Sequence, residues 1–306
     1  MAQKTDLNVA PYYDDFDSTD NFHKILFRPG FAVQARELTQ LQSILQNQIE
    51  RHGNNIFKDG TVIIPGQLSF SNSYQSIKLT STFGSEDVVP AQYYNATTPV
   101  IVTGATSGVE AEVIGYKDGT STTQPTLYVK YTKTGSDFAT ETFSDSENIS
   151  ANVSITHTTS YASNIASATT HTSAAQTGSA VKVESGIYYV RGQFVRVAEQ
   201  TLVLSDSSTT VSKRVGFTIT ETLVTPEVDT TLTDNATGSS NYAAKGAHRL
   251  KIELTLASLD TTSTADSTFL EVMRVSSGIV ANSARNTEYS VLGDTLARRT
   301  FDESGD

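Results

Sequence analysis

The side chains able to carry chemistry are few and scattered. Five histidines stand at positions 23, 52, 157, 171 and 248. Metal sites usually announce themselves through a helical i,i+4 pair or a short His-x-His spacing, and these five show neither. Asp15-Phe16-Asp17 opens like a calcium loop. The next alternate ligand position holds Thr19, however, and the central glycine and closing glutamate are missing from their offsets. Its carboxylates are therefore read as surface or partner-facing groups. Gly104-Ala105-Thr106-Ser107-Gly108 places its serine one position late for a nucleophile elbow. Glu86-Asp87 offers two acids, but neighbours in a strand point to opposite faces and cannot share one sugar. With no cysteine, thiol nucleophiles, disulfides and thiolate metal sites fall away together. The expectation is a non-enzyme without catalytic residues, cofactor or metal.

Composition narrows the partners. The net charge of −11 repels phosphate backbones and anionic lipid surfaces, so no nucleic acid is expected. No stretch approaches the roughly 18–20 apolar residues that span a bilayer, so no membrane insertion is expected. Met1 to Asp6 lacks the apolar core of a secretory signal, which implies synthesis in the cytoplasm.

The elements that position these residues read as mainly β. Apolar residues make up 37% and charged ones 18%, with abundant Thr and Ser, a composition of short strands with polar outer faces. The predicted fold is mainly β with one N-terminal amphipathic α-helix and several small β-sandwich or barrel-like modules. The helix covers about 34–52, where Leu38, Leu41, Ile44, Leu45 and Ile49 recur at threes and fours and Gly53 supplies the stop. Its heptad seam, Leu38, Leu41 and Leu45, runs into Gln48 and His52. Packing on the chain's own sheet is preferred, with self-association as the alternative. Ahead of it, an acidic and aromatic segment holding Tyr12, Tyr13 and Phe16 suits an extended docking arm, and an ordinary capped loop is equally open.

Three regions are expected: 1–95 as arm, helix and β region, 96–180 as an inserted Gly/Ser/Thr-rich β module with linker, and 181–306 as a second β domain or a continuation of the first unit. Residues 156–179, almost wholly small and polar, read as a linker or an exposed turn of structure. The firmest local expectation is a hairpin around Arg191-Gly192, with further strands at 215–220, 250–256 and 269–275.

Leu26-Phe27-Arg28-Pro29-Gly30-Phe31-Ala32-Val33-Gln34-Ala35-Arg36-Glu37-Leu38-Thr39-Gln40-Leu41-Gln42 resembles the opening of a family of virion structural proteins from marine T4-like and related tailed phages. Val224-Thr225-Pro226-Glu227-Val228-Asp229, and the run on to Leu250, is similar as well. The resemblance covers most of 1–95 and 181–306. It implies a baseplate or tail-fibre attachment protein in the virion that assembles as an oligomer, with other tail proteins as neighbours and a homotrimer by analogy with fibres. It carries over no catalytic residue. It also implies that the stretch from Thr103 to Ile149 is a variable, outward-facing module, and that the end, Thr300 to Asp306, leads into further chain. The candidate assembly interface is Tyr12, Tyr13, Phe16, Phe22, Phe27, Phe31, Leu38, Leu41 and Leu45. The alternative function is a carbohydrate-binding receptor-recognition module that meets host-surface glycans, with Tyr93 and Tyr94 as stacking residues.

Overall fold

A 3.6-residue apolar period near the N-terminus gives way to two-residue alternation, and the backbone follows. The computed structural model describes residues 5–64, 66–264, 267–283 and 290–304. Residues 1–4, on which part of the leader reading falls, lie outside the described residues. Strand holds 42% of the chain against 14% helix, so the fold is mainly β with several sheets.

The first helix, α1 (Ala35–Asn54), starts where the Gln34 N–H donates to Glu37 Oε2 at 2.9 Å. It runs through Gly53 instead of stopping there, because that glycine has a packing role. Gly53 is buried, and a Cβ would collide with the Tyr189 ring. The Tyr189 hydroxyl hydrogen-bonds to Glu50 O (3.2 Å) and Asn54 Oδ1 (2.8 Å), fixing the last turns.

Next come β1 (Val62–Ile64), the long β2 (Leu68–Leu79), short β3 (Thr82–Phe83) and β4 (Glu86–Asp87), then β5 (Val100–Gly104), β6 (Glu110–Lys117), β7 (Thr126–Lys133) and β8 (Asn148–Ala151). Short β9 (Ile155–Thr156) and β10 (Ser160–Tyr161) lead into β11 (Ala166–Val183). Strands β11, β2, β7, β6, β5 and β8 pair antiparallel in that order, and β8 pairs back onto β11. The ladder thus closes into a six-stranded barrel. Inward alternate residues fill it: Ile77, Leu79, Val102, Leu127 and Ile149, all fully buried, with small Ala111, Ala151 and Ala168 at crowded points.

The expectation of a linker or exposed turn at 156–179 is overturned, since β11 is an 18-residue strand in the middle of the sheet. Up to position 179 its buried residues are small: Ser167, Ala168, Thr170, Ala174, Gly178 and Ser179. A Cβ on Gly178 would strike the Ser205 carbonyl. Small side chains let neighbouring backbone approach, and the strand is held by ladder hydrogen bonds that need no large side chain.

The remaining strands are β12 (Gly186–Val190), β13 (Gln193–Val197), β14 (Gln200–Ser205), β15 (Lys213–Val224), β16 (Arg249–Asp260), β17 (Phe269–Ser276) and β18 (Ile279–Ser283), followed by α2 (Ser290–Ser304). Strand β14 extends the barrel sheet beyond β11. Strands β1, β12 and β13 form a three-stranded sheet, and β16, β15, β17 and β18 a four-stranded one. A second core lies among these sheets and the end of β11: Val62, Val181, Val183, Tyr188 and Val190 pack with Val215, Phe217 and Val275. Its residues come from both ends of the chain. The barrel draws on Ile77 to Ala174, so its frame begins well before position 96.

The expected hairpin is present. Arg191 and Gly192 both have positive φ (49° and 76°), as a two-residue turn matching strand twist requires. Left-handed backbone costs an L-residue roughly 1–2 kcal/mol, and the Arg191 side chain offsets it. Its guanidinium is buried against Glu221 of β15 and also donates to Ser267 O (2.7 Å), while its N–H donates to Asp59 Oδ1 (2.9 Å). The hairpin tip is thereby tied to the four-stranded sheet.

Arg191→Ala leaves Glu221 with a buried charge short of its main partner and should lower unfolding free energy by about 3–5 kcal/mol. Urea denaturation measures it. A loss below about 1 kcal/mol, the worth of an exposed pair, would remove the bridge from the stability argument.

Candidate functional site

The arm ahead of α1 is pinned to its own chain. Thr5 donates from its N–H and its hydroxyl to Glu221 Oε2 (2.8 and 2.7 Å). The Tyr12 hydroxyl meets His248 Nδ1 at 2.6 Å, and the two rings stand edge to face. Phe16 is buried. Asp14 accepts from the Ser43 hydroxyl, and Asp15 binds Gln40 and Arg36 on α1. Asp17 caps a short 3-10 turn through the Thr19 N–H (2.8 Å). Asp15 and Asp17 lie at the surface, as read from the sequence, and the bonds of Asp14 and Asp15 to α1 hold the arm in place. Tyr12 and Phe16 are likewise spent within the chain.

Other members of the candidate interface are left uncovered. Tyr13, Phe22, Phe27, Phe31, Leu38 and Leu45 are exposed, while Leu41 is half-buried. Leu26, Val33 and Ile49 join them, so exposure along 22–49 runs from 48% at Phe27 and Ile49 to 74% at Leu26. The helix buries Ile44 and, at its last turn, Gly53, and turns its Leu38, Leu45 and Ile49 stripe to solvent. The heptad reading ended on His52 and missed Ile49, which lies four residues after Leu45, where a 3.6-residue helix returns to the same face. The Arg28 guanidinium lies 4.3 Å above the Phe31 ring and braces it.

The residues singled out for chemistry have other duties. Ser107 donates its N–H and its hydroxyl to buried Glu147 (2.9 Å each), which also accepts from the N–H groups of Thr106 and Ser144. One carboxylate therefore knots the turn after β5 to the entry of β8. Glu86 accepts from the N–H and hydroxyl of Thr159, and these bonds hold its carboxyl below the usual range. His157 bridges Ser167 O (2.7 Å) and the Val89 N–H (3.1 Å). Tyr93, expected on the surface as a stacking residue, is fully buried and bonds Ser167 through its hydroxyl (2.7 Å). Its burial pushes the phenol up. Among the described residues no three His, Asp or Glu gather as metal ligands, and no helix is long and apolar enough to cross a membrane.

A concavity lies where the barrel wall meets β14. A cavity of about 490 Å³ and a second of about 360 Å³ share Tyr74, Tyr94, Ile114, Glu199 and Thr201. Sequence reading reached Tyr94 alone, because the other walls come from strands distant in sequence. Below it, Asp206 joins barrel to body, accepting from Tyr128 (2.6 Å) and pairing with Lys117. Burial acts to raise its carboxyl, but those hydrogen bonds and the charges of Lys117 and Lys78 outweigh it, so the group is held low.

A lowered carboxyl stabilises the fold above its unfolded value of about 3.9, and the contribution disappears as pH falls through the folded value. Asp206→Asn should therefore cost about 1 kcal/mol or less at neutral pH, given its partial exposure. The gap from wild type in thermal midpoint should narrow below about pH 4. A gap independent of pH would show that charge contributes nothing to this clamp.

No curated protein and no solved structure matches the chain. A family model described as a domain of unknown function, DUF4815, matches residues 10–83 and 155–306. The match takes in α1, the strands of the second core and both long barrel strands, β2 and β11, and leaves out β5 to β8. On that coverage, the chain belongs to the DUF4815 family.

Proposed function

We propose that this chain is a structural component of a bacteriophage tail, a baseplate or tail-fibre attachment protein that works by assembling with copies of itself and with neighbouring tail proteins in the virion. The observation that carries the reading is the apolar surface of residues 22–49. Phe22, Leu26, Phe27, Phe31 and Val33 lead into the Leu38, Leu45 and Ile49 stripe of α1, and all are exposed. Elsewhere the chain closes two cores of its own.

Aromatic side chains bury about 150–250 Å² each. With the aliphatic stripe, this surface offers on the order of 500 Å² of apolar area, against roughly 800 Å² per partner in a standard interface. A patch of this kind on a water-facing surface favours association. The internally bonded arm holds the segment in a defined path, which limits the ordering entropy of docking. Three copies about a fibre axis is the preferred arrangement, by analogy with tail fibres.

Light scattering coupled to size exclusion tests the reading with Leu38→Glu, Leu45→Glu and Ile49→Glu combined. Wild type should be oligomeric and the variant monomeric, with unchanged circular dichroism, since exposed substitutions shift stability by only about 0.5 kcal/mol each. A wild-type protein that stays monomeric and binds no tail particle would overturn the proposal.

A further inference from the structure

The concavity beside β14 has the chemistry of a ligand site, and we infer that it binds a short neutral oligosaccharide. Tyr94 and Tyr116 lie side by side with ring centroids 5.9 Å apart, and both are about two-fifths exposed. Behind them, half-buried Tyr74 packs on Tyr128 at 5.4 Å. The hydroxyls of Tyr74, Tyr94 and Tyr116 have no hydrogen-bond partner among the described residues. The result is a platform of aromatic faces rimmed by free phenol groups.

The opposite walls are polar and fixed. Glu199 is held by Lys182 at 2.9 Å. The Asn95 side-chain oxygen accepts from the N–H groups of Thr97 and Thr98, which leaves its amide donors for a ligand. Glu112, Ser69 and Thr201 complete the walls. A cavity of about 490 Å³ is within the usual span of small-molecule sites.

Each feature selects against other ligands. Among the described lining residues the one cation, Lys182, is already paired with Glu199, and Glu112 adds a second carboxylate in a chain of net charge −11, so phosphates and nucleotides are repelled. Acyl chains would forgo hydrogen bonds from the free phenol groups of Tyr74, Tyr94 and Tyr116 and would set hydrocarbon against the Lys182–Glu199 pair. A quaternary ammonium needs ring faces enclosing a box, whereas these rings touch in two pairs. A pyranose satisfies every wall: its C–H face lies on Tyr94 and Tyr116, and its hydroxyls meet carboxylate and amide.

The site also has a divided origin. Ser69, Tyr74, Lys182, Glu199 and Thr201 belong to the frame that the family model matches, whereas Tyr94, Glu112 and Tyr116 lie outside it. The segment outside the matched frame thus supplies the exposed rings Tyr94, just after a 3-10 turn, and Tyr116 on β6, and the frame supplies Tyr74 and most of the polar wall. Specificity would then be set by residues 84–154.

The test uses the whole chain against maltotriose, chitotriose, mannotriose and lactose by calorimetry and by chemical-shift titration. At least one should bind at millimolar concentration or better. Tyr94→Ala and Tyr116→Ala should each weaken it by about tenfold, and Phe138→Ala, at an exposed turn far along the sequence, should leave it unchanged. Circular dichroism checks that both tyrosine variants fold. The inference is overturned if no saccharide binds, if binding survives both substitutions, or if choline alone occupies the site. It does not rest on the assembly reading: a sugar-binding monomer would defeat only that reading, and an assembling protein blind to sugars only this one.

Discussion

Everything in this chain hangs on the antiparallel ladder between β2 and β11, which runs from Leu68 opposite Val183 to Leu79 opposite Thr170. Backbone hydrogen bonds hold it, and it crosses both hydrophobic cores. At one end Val181 and Val183 enter the second core, with Leu68 and Phe70 packed against it. At the other, Ile77, Leu79, Ala168 and Ala174 line the barrel. Moving the register by one residue would turn every one of these side chains to the wrong face. Of the two register shifts in the ladder, the one between Thr170 and Ala175 lies within the barrel stretch, and the one between Gly178 and Ala180 lies where the strand passes from the barrel core to the second core.

Much of the fold was legible because large side chains at a clear period carry the signal. The helix of α1 and the strands β15, β16 and β17 announce themselves through Leu, Ile, Val and Phe at threes and fours or at alternate positions. The Arg191-Gly192 hairpin is legible through its turn. Strand β11 is not, because hydrophobicity-based reading equates burial with bulk. Its Ser167, Thr170 and Ser179 are fully buried because they fit close backbone and find hydrogen-bond partners there. Gly53 misleads for a related reason: a glycine after a helical run reads as a stop, yet this one admits the Tyr189 ring.

The candidate surface divides along the same line. Sequence marks which residues are apolar and aromatic but not which of them the chain consumes. Phe16 and Tyr12 look like Phe22 and Phe31 in composition. What separates them is the carboxylate pair Asp14 and Asp15, whose bonds to Ser43, Arg36 and Gln40 draw the first part of the arm onto α1, while Asp17 caps the turn that follows. Beyond Asn21 that tethering ends, and the apolar residues of 22–33 stand in solvent. Exposed and self-bound halves of one arm are thus set by where the acids find their donors, a three-dimensional fact.

The long ladder also explains how a barrel can be grafted onto a family frame. Ladder bonds are made by backbone, so the stem formed by β2 and β11 tolerates wide changes in the strands hung between its ends. The two cores share no buried residue, and side-chain changes in one leave the packing of the other intact. What ties the barrel to the frame beyond the stem is polar and local, chiefly Asp206 with Lys117 and Tyr128. Strands joined to the frame through a stem and a local clamp can vary on their outer face while the frame keeps its own packing. The cleft at that junction draws its walls from both sides, so its lining is where a change in either would meet the other.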